Sequence, residues 1–146
     1  MAEAKMSPAA EALRTKVEGY LRQKKLSYEV KPNGSYGVRY GSTMVMIIVG
    51  DWNERTLVRL LAAVALQVTE ITPELTRFLI EENNKLLFGK FSLDGKAKAV
   101  WYEHALLGDF LDVEELYTAI GAIVTTADQY DEQVCKLSGG KRVADV

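Results

Sequence analysis

Residues 112–140 read DVEELYTAIGAIVTTADQYDEQVCKLSGG, and the punctuation of this stretch decides what the rest of the chain can build. Asp112 stands where a side-chain oxygen can accept from the first free amides of a helix, and Glu115, three residues on, can return the bond. Leu111 can clip against Leu116, which completes a capping box with a hydrophobic staple. Behind that entry Val113, Leu116, Tyr117, Ile120, Val124, Ala127 and Val134 recur at helical spacing. One stripe therefore seeks a core, while Glu114, Thr118, Thr125 and Gln129 stay wet. The helix is expected to run continuously from Asp112 to Leu137 and to stop at Ser138-Gly139-Gly140, where glycine takes the left-handed cap.

Immediately upstream, Thr72-Pro73-Glu74 opens a shorter helix, with threonine as cap and proline in the first turn, where its missing amide costs nothing. Leu75, Phe78 and Leu79 face inward, and Asn83-Asn84 ends it. Lys85 to Leu93 and Lys98 to Leu106 then read as a hairpin turning at Asp94-Gly95-Lys96, residue types that tolerate positive φ. At the other end of the chain, Ser7-Pro8 repeats the cap-and-proline signal. Leu13, Val17, Tyr20 and Leu21 form one stripe there, and Arg22, Lys24 and Lys25 suit the negative end of the helix dipole. From Leu26 the period shifts toward strands: Leu26 to Val30, a turn at Pro32-Asn33-Gly34, Tyr36 to Tyr40, and Met44 to Val49. Gly50-Asp51-Trp52-Asn53 reads as a reversal. Met44 to Val49 is apolar on both alternating sets, as expected of a strand covered on both faces by helices or by a partner chain.

Residues 56–68 admit two readings. Leu57, Leu60, Leu61, Val64 and Val68 fit a helical stripe, whereas Val58, Leu60, Ala62, Val64, Leu66 and Val68 fit one face of a strand. Alanine enrichment favours the helix, and the reversal before it favours a strand paired with Met44 to Val49.

With 146 residues, the chain is expected to be one domain spanning 1–146, with 1–6 and 141–146 frayed, large enough to bury a core without metals or disulfides. Its single cysteine, Cys135, rules out an internal disulfide, and the sequence has no long uncharged apolar run. A cytoplasmic setting without membrane association is the expectation. A net charge of −2 with both signs mixed along the chain argues against nucleic acid as a partner.

Candidate chemistry is sparse. His104 is the only histidine, and neither Ser92, Ser138 nor Cys135 sits in a nucleophile context that would make it the base of a triad. Asp109, Asp112, Glu114 and Glu115 are accounted for by helix entry. Asp128, Asp131 and Glu132 can share a helix face but lack the loop spacing of a calcium site. One cysteine and one histidine do not make a zinc site. No catalytic residue, metal ligand or cofactor is therefore expected. Two function classes remain: a protein-binding module using sheet and helix surfaces, or a small-ligand protein or enzyme with a concave polar pocket.

Three runs carry a family resemblance: TPELTRFLIEENNKLLFGKFSL at 72–93, LLGDFLDVEEL at 106–116 and ADQYDE at 127–132. Together they resemble the bacterial YbjN family, whose fold is similar to that of type III secretion chaperones, across roughly residues 57–140. The resemblance implies an α+β fold, an antiparallel β-sheet with packed helices in the order α-β-β-β-β-α-β-β-α, with 56–68 as a strand. It also implies no cofactor, no enzymatic activity, and a chaperone-like or regulatory role with a protein or peptide client. Related secretion chaperones form dimers, so a homodimer is the expected assembly. The strand from Lys98 to Leu106 puts Val100, Tyr102, His104 and Leu106 on one face and Ala99, Trp101, Glu103 and Ala105 on the other. Trp101, Tyr102 and Glu103 are the candidate protein-contact residues, with Trp101 either outward at an interface or buried in the core.

Overall fold

The computed structural model describes residues 5–146, and the element order is the expected one. Helix α1 (Pro8–Gln23) is followed by β1 (Glu29–Val30), β2 (Tyr36–Tyr40), β3 (Thr43–Trp52) and β4 (Arg55–Ala65). Then come α2 (Pro73–Asn83), β5 (Lys90–Asp94), β6 (Ala99–Leu107) and α3 (Val113–Ser138). The strands make one antiparallel sheet in the order β1-β2-β3-β4-β6-β5.

The helix ends follow the local chemistry of the sequence. Ser7 caps α1 through its hydroxyl, which accepts from Ala10 N, and Thr72 does the same for α2 from Leu75 N. Asp112 accepts from Glu115 N at 2.8 Å, and Gly139 closes α3 in the left-handed conformation at φ 67°. A side chain at Gly139 would also run into the Thr69 hydroxyl, so shape and backbone both call for glycine. The α3 stripe is rotated slightly from the expected one: Ala119 and Ile123 are buried, while Tyr117 is 43% exposed beneath Lys24, whose Nζ lies 4.7 Å from the ring centroid.

Residues 56–68 resolve as strand up to Ala65, paired with β3 from Arg55↔Trp52 to Ala62↔Val45. Long pairing on both sides overrides the helical propensity of the alanines, because β4 also runs against β6 from Leu57↔Leu107 to Ala65↔Val100. The ladder ends where Gln67 turns at φ 52°. The hairpin before β4 turns later than expected: β3 extends through Trp52, and Asn53, at φ 53°, takes the reversal.

Several expectations are corrected. Strand β1 is two residues instead of Leu26 to Val30, because 24–26 finish α1: Leu26 N donates to Leu21 O at 3.0 Å, and Lys25 sits at φ 55°. In the second hairpin the positive φ falls on Lys98 and not within Asp94-Gly95-Lys96, since the Asp94 carboxylate accepts from Lys96 N and Ala97 N and widens the turn. Residues 141–146 are not frayed. Lys141 exchanges two backbone bonds with Leu66 at 2.7 and 2.8 Å, Ala144 N donates to Ser42 O at 3.1 Å, and 143–145 form a 3-10 turn. Of the other expected frayed segment, residues 1–4 lie outside the described residues.

The two faces of the sheet differ. Val45, Ile47, Val49, Val58, Leu60 and Tyr102 point to the side where α1 and α3 pack, and they join the stripes of those helices in one core. Met44, Met46 and Ile48 alternate to the other side and are only half-buried. The expectation that Met44 to Val49 is covered on both faces therefore fails within one chain: among the described residues no helix covers the outer face.

Candidate functional site

The site begins with a strand that is missing. Residues 85–89 were expected to extend β5, and their apolar run Leu86-Leu87-Phe88 has the right composition. Gly89 prevents it. Its φ is +81°, and a Cβ there would lie 2.9 Å from Glu103 O, 2.9 Å from Tyr102 Cε1 and 2.7 Å from Ile123 Cδ1. The chain passes so close to β6 that it crosses the sheet edge and cannot run along it. Asn83 fixes the start of β5 from the other side, its Oδ1 accepting from Phe91 N at 2.7 Å and its Nδ2 donating to Phe91 O at 3.3 Å. Strand β5 thus begins at Lys90, opposite Glu103.

Strand β6 continues four residues further. His104, Ala105, Leu106 and Leu107 pair with β4 on one side, and no described residue pairs with them on the other. Alternate residues of an antiparallel strand direct both amide and carbonyl to the same neighbour, so this segment presents an unsatisfied edge. Grooves flank that edge on both faces of the sheet. On the inner face a groove of about 390 Å³ is lined by Phe88, His104 and Leu106 and by Asp112, Ala119 and Ala122 of α3. On the outer face a smaller one of about 250 Å³ lies among Arg59, Lys90, Glu103 and Ala105. Phe88, on the wall of the inner groove, is 55% exposed, and Leu87 before it is 90% exposed. The ring of Phe88 meets His104 edge-on at 6.4 Å.

The three expected contact residues part company. Trp101 is half-buried on the outer face, opposite Ala63 and Ser92. Glu103 shares that face, accepting from Ser92 Oγ at 2.8 Å with Lys90 Nζ 4.0 Å away. Tyr102 is corrected: it is 0% exposed, packs on Phe91 at 4.9 Å and donates its hydroxyl to Phe88 O, so it has no surface from which to touch a partner. Its burial raises the phenol pKa. Tyr102 instead holds Phe88 at the groove wall. Leu106 was placed on one strand face with His104, whereas Phe88, Ala122 and Arg59 were given no functional part from the sequence. The one signal for them was Gly89, which marks where a strand reading should stop.

The other candidates are structural. Asp128 accepts from Ser42 N at 2.8 Å and from Ser42 Oγ at 2.7 Å, and Asp131 meets the same hydroxyl. Glu132 pairs with Arg142 at 3.4 Å. These carboxylates tie α3 to the β2–β3 turn and the C-terminal tail, and no metal-holding cluster occurs among the described residues. Hydrogen bonds from Ser42 hold the Asp128 carboxyl below its ordinary range, while burial pushes Asp131 up. Cys135 is half-buried, its Sγ 3.7 Å from Val64 O, and burial raises its thiol to about 11. His104 has neither a nucleophile nor a carboxylate partner in hydrogen-bond contact among the described residues.

Among the described residues no helix is long and apolar enough to cross a membrane. No curated protein matches the sequence. The fold has relatives among solved structures. A chain of the ExsC–ExsE complex superposes with a TM-score of 0.62 at 17% identity, covering 88% of this chain and 97% of its own. A chain of the HopA1–SchA chaperone–effector complex gives 0.59 at 14% identity, covering 84% and 96%. A chain from the Yersinia pestis type III secretion chaperone SycH in complex with a stable fragment of YscM2 gives 0.54 at 15% identity, covering 80% and 98%. At such identities these likenesses speak to the fold. The sequence itself matches, over residues 10–146, the family model described as T3SS (YopN, CesT) and YbjN peptide-binding chaperone 1, and the chain belongs to that family.

Proposed function

We propose that this chain is a non-enzymatic binding module that takes an extended segment of a client protein as an added strand along the open edge of β6. The observation that carries this reading is the coincidence of an open backbone edge at Ala105 and Leu107, whose neighbours His104 and Leu106 turn to β4, with grooves on both faces of the strand. Strand addition draws affinity from main-chain hydrogen bonds and specificity from pockets for alternate side chains. Each such bond contributes only about 1 kcal/mol net, so apolar side chains entering the groove between β6 and α3 supply much of the rest. The family description and the bound proteins named with ExsC, SchA and SycH support a protein client. The inner groove is large enough for a small ligand, but its only imidazole faces an aromatic ring, and its carboxylates sit at the rim on α3.

The test is hydrogen exchange with a peptide selected from a random dodecamer library displayed on phage. Protection gained at the Ala105 and Leu107 amides supports strand addition. Protection confined to β2 and β3 overturns it.

A second surface is favoured by a separate observation. Met46, Ile48, Leu61 and Trp101 lie together on the uncovered outer face, half-buried and apolar. We propose that this face joins two copies of the chain, with Trp101 as an anchor and Glu103 at its margin. Loss of dimer on Trp101→Ala in sedimentation, with melting nearly unchanged, supports this. A variant that stays assembled and melts far lower makes Trp101 a core residue. A reducing, cytoplasmic setting fits the lone, buried thiol.

A further inference from the structure

The groove at the β6 edge is polarised, and the polarity specifies its occupant; the argument rests on the strand-addition reading above. On the inner face, the α3 wall carries Asp112, Glu114 and Glu115, and no lysine or arginine lines that groove. Glu114 is held by Lys24. Asp112 and Glu115 have no cationic partner among the described residues. The positive end of the α3 dipole tempers these charges without cancelling them. On the outer face the signs reverse. Arg59 is exposed with no hydrogen-bond or ionic partner among the described residues, and Lys90 lines the same groove paired with Glu103 at 4.0 Å, so the charge left over on this face is that of Arg59. The two grooves lie on opposite sides of one strand edge. A bound strand alternates its side chains between them with period two.

We infer that the edge selects an extended segment whose charge is segregated by parity: apolar and basic side chains on alternate positions facing α3, acidic ones on the positions between. A lysine or arginine suits the inner set because its aliphatic stem can lie along Phe88, Leu106 and Ala122 while its head reaches Glu115. An acidic residue suits the outer set because Arg59 offers an unused planar fork. Register enforces the pattern, since a slip of one residue turns every side chain to the wrong face.

Two labelled synthetic dodecapeptides of identical composition and net charge test this. The first alternates leucine or lysine with glutamate or threonine. The second exchanges half of its lysines and glutamates, so that each face carries both signs. The library-selected peptide is the positive control. By fluorescence anisotropy at low salt, the segregated peptide is expected to bind about tenfold tighter than its scramble. The gap should narrow at high ionic strength, where exposed charges are screened, and in Glu115→Gln and Arg59→Gln, both exposed positions whose melting serves as a folding control. Equal affinity of the two designed peptides, or binding of the control alone, overturns the charge pattern and leaves strand addition standing. Methylating alternate backbone nitrogens of the segregated peptide should abolish its binding. Unchanged affinity after methylation overturns strand addition itself.

Discussion

Replacing Ser42 by alanine should cost far more than a hairpin-turn serine ordinarily would. The turn between β2 and β3 approaches α3 so closely that a Cβ at Gly41, already at φ +54°, would run into the Asp128 carboxylate. Ser42 fills that contact: its backbone N and its hydroxyl both serve Asp128, and the same hydroxyl meets Asp131. Ser42→Ala spares the backbone bond and removes both hydroxyl contacts. Asp131 is 1% exposed, so it is left as a buried acceptor without its partner. Such a loss costs roughly 1–3 kcal/mol, toward the upper end for a charged group. In a chain of this size, roughly 3 °C of Tm accompanies each kcal/mol, so a drop of about 6–9 °C is expected at neutral pH.

The pH dependence follows from the two carboxyls. Asp131 has a folded pKa raised by burial and by Asp128, so its contribution to stability is complete below the ordinary carboxylate value and is lost as pH rises through the raised value. Asp128 has a lowered one, so its contribution is present above the ordinary value and is lost as pH falls through the lowered value. The Ser42 hydroxyl has one proton to donate and favours the charged form of whichever carboxylate it serves. The deficit of Ser42→Ala should therefore be largest at neutral pH and shrink as the buffer is acidified through the carboxylate range. Thermal melting by circular dichroism across that range is the assay. A deficit under about 2 °C at pH 7, or one that grows on acidification, refutes the role of Ser42 as a latch between the β2–β3 turn and α3.

Ile120→Asp should prevent cooperative folding, because it places an unpaired charge at a buried position of α3 at a cost of several kcal/mol; a soluble variant with native melting would remove α3 from the core. Cys135, with its thiol at about 11, should be slow toward thiol reagents at pH 8, where roughly one thiol in a thousand is ionised, and should react faster as pH passes 10. Rapid labelling of the folded chain at pH 8 would contradict its burial against Val64.

What was legible in the sequence was what neighbouring residues decide among themselves. Ser7, Thr72 and Asp112 each cap the helix they stand before, and Gly139 ends the one it follows, because a cap needs only a side-chain oxygen or a left-handed backbone within a few residues. Residues 56–65 lie at the limit of that kind of reading: their pattern served helix and strand alike, and two flanking strands decided it. The latch lies beyond it, since Ser42 and Asp128 are 86 positions apart.

The candidate groove was missed for a more specific reason. Leu86-Leu87-Phe88 satisfies every local rule for continuing β5, and only the close approach of Gly89 to Tyr102, Ile123 and the Glu103 carbonyl forbids it. An apolar run that should pair with a strand and does not leaves two things behind: side chains facing water, here Leu87 and Phe88, and a neighbouring strand with a free edge, here 104–107 of β6. Both are costly in isolation, the first through exposed apolar surface and the second as a template for unwanted pairing. A side chain in place of Gly89 does not remove them, since at φ +81° its Cβ would lie 2.9 Å from the Glu103 carbonyl and 2.7 Å from Ile123. The strand addition proposed above would cover both, and Gly89, where the strand pattern stops, is the residue beside which the edge of β6 opens.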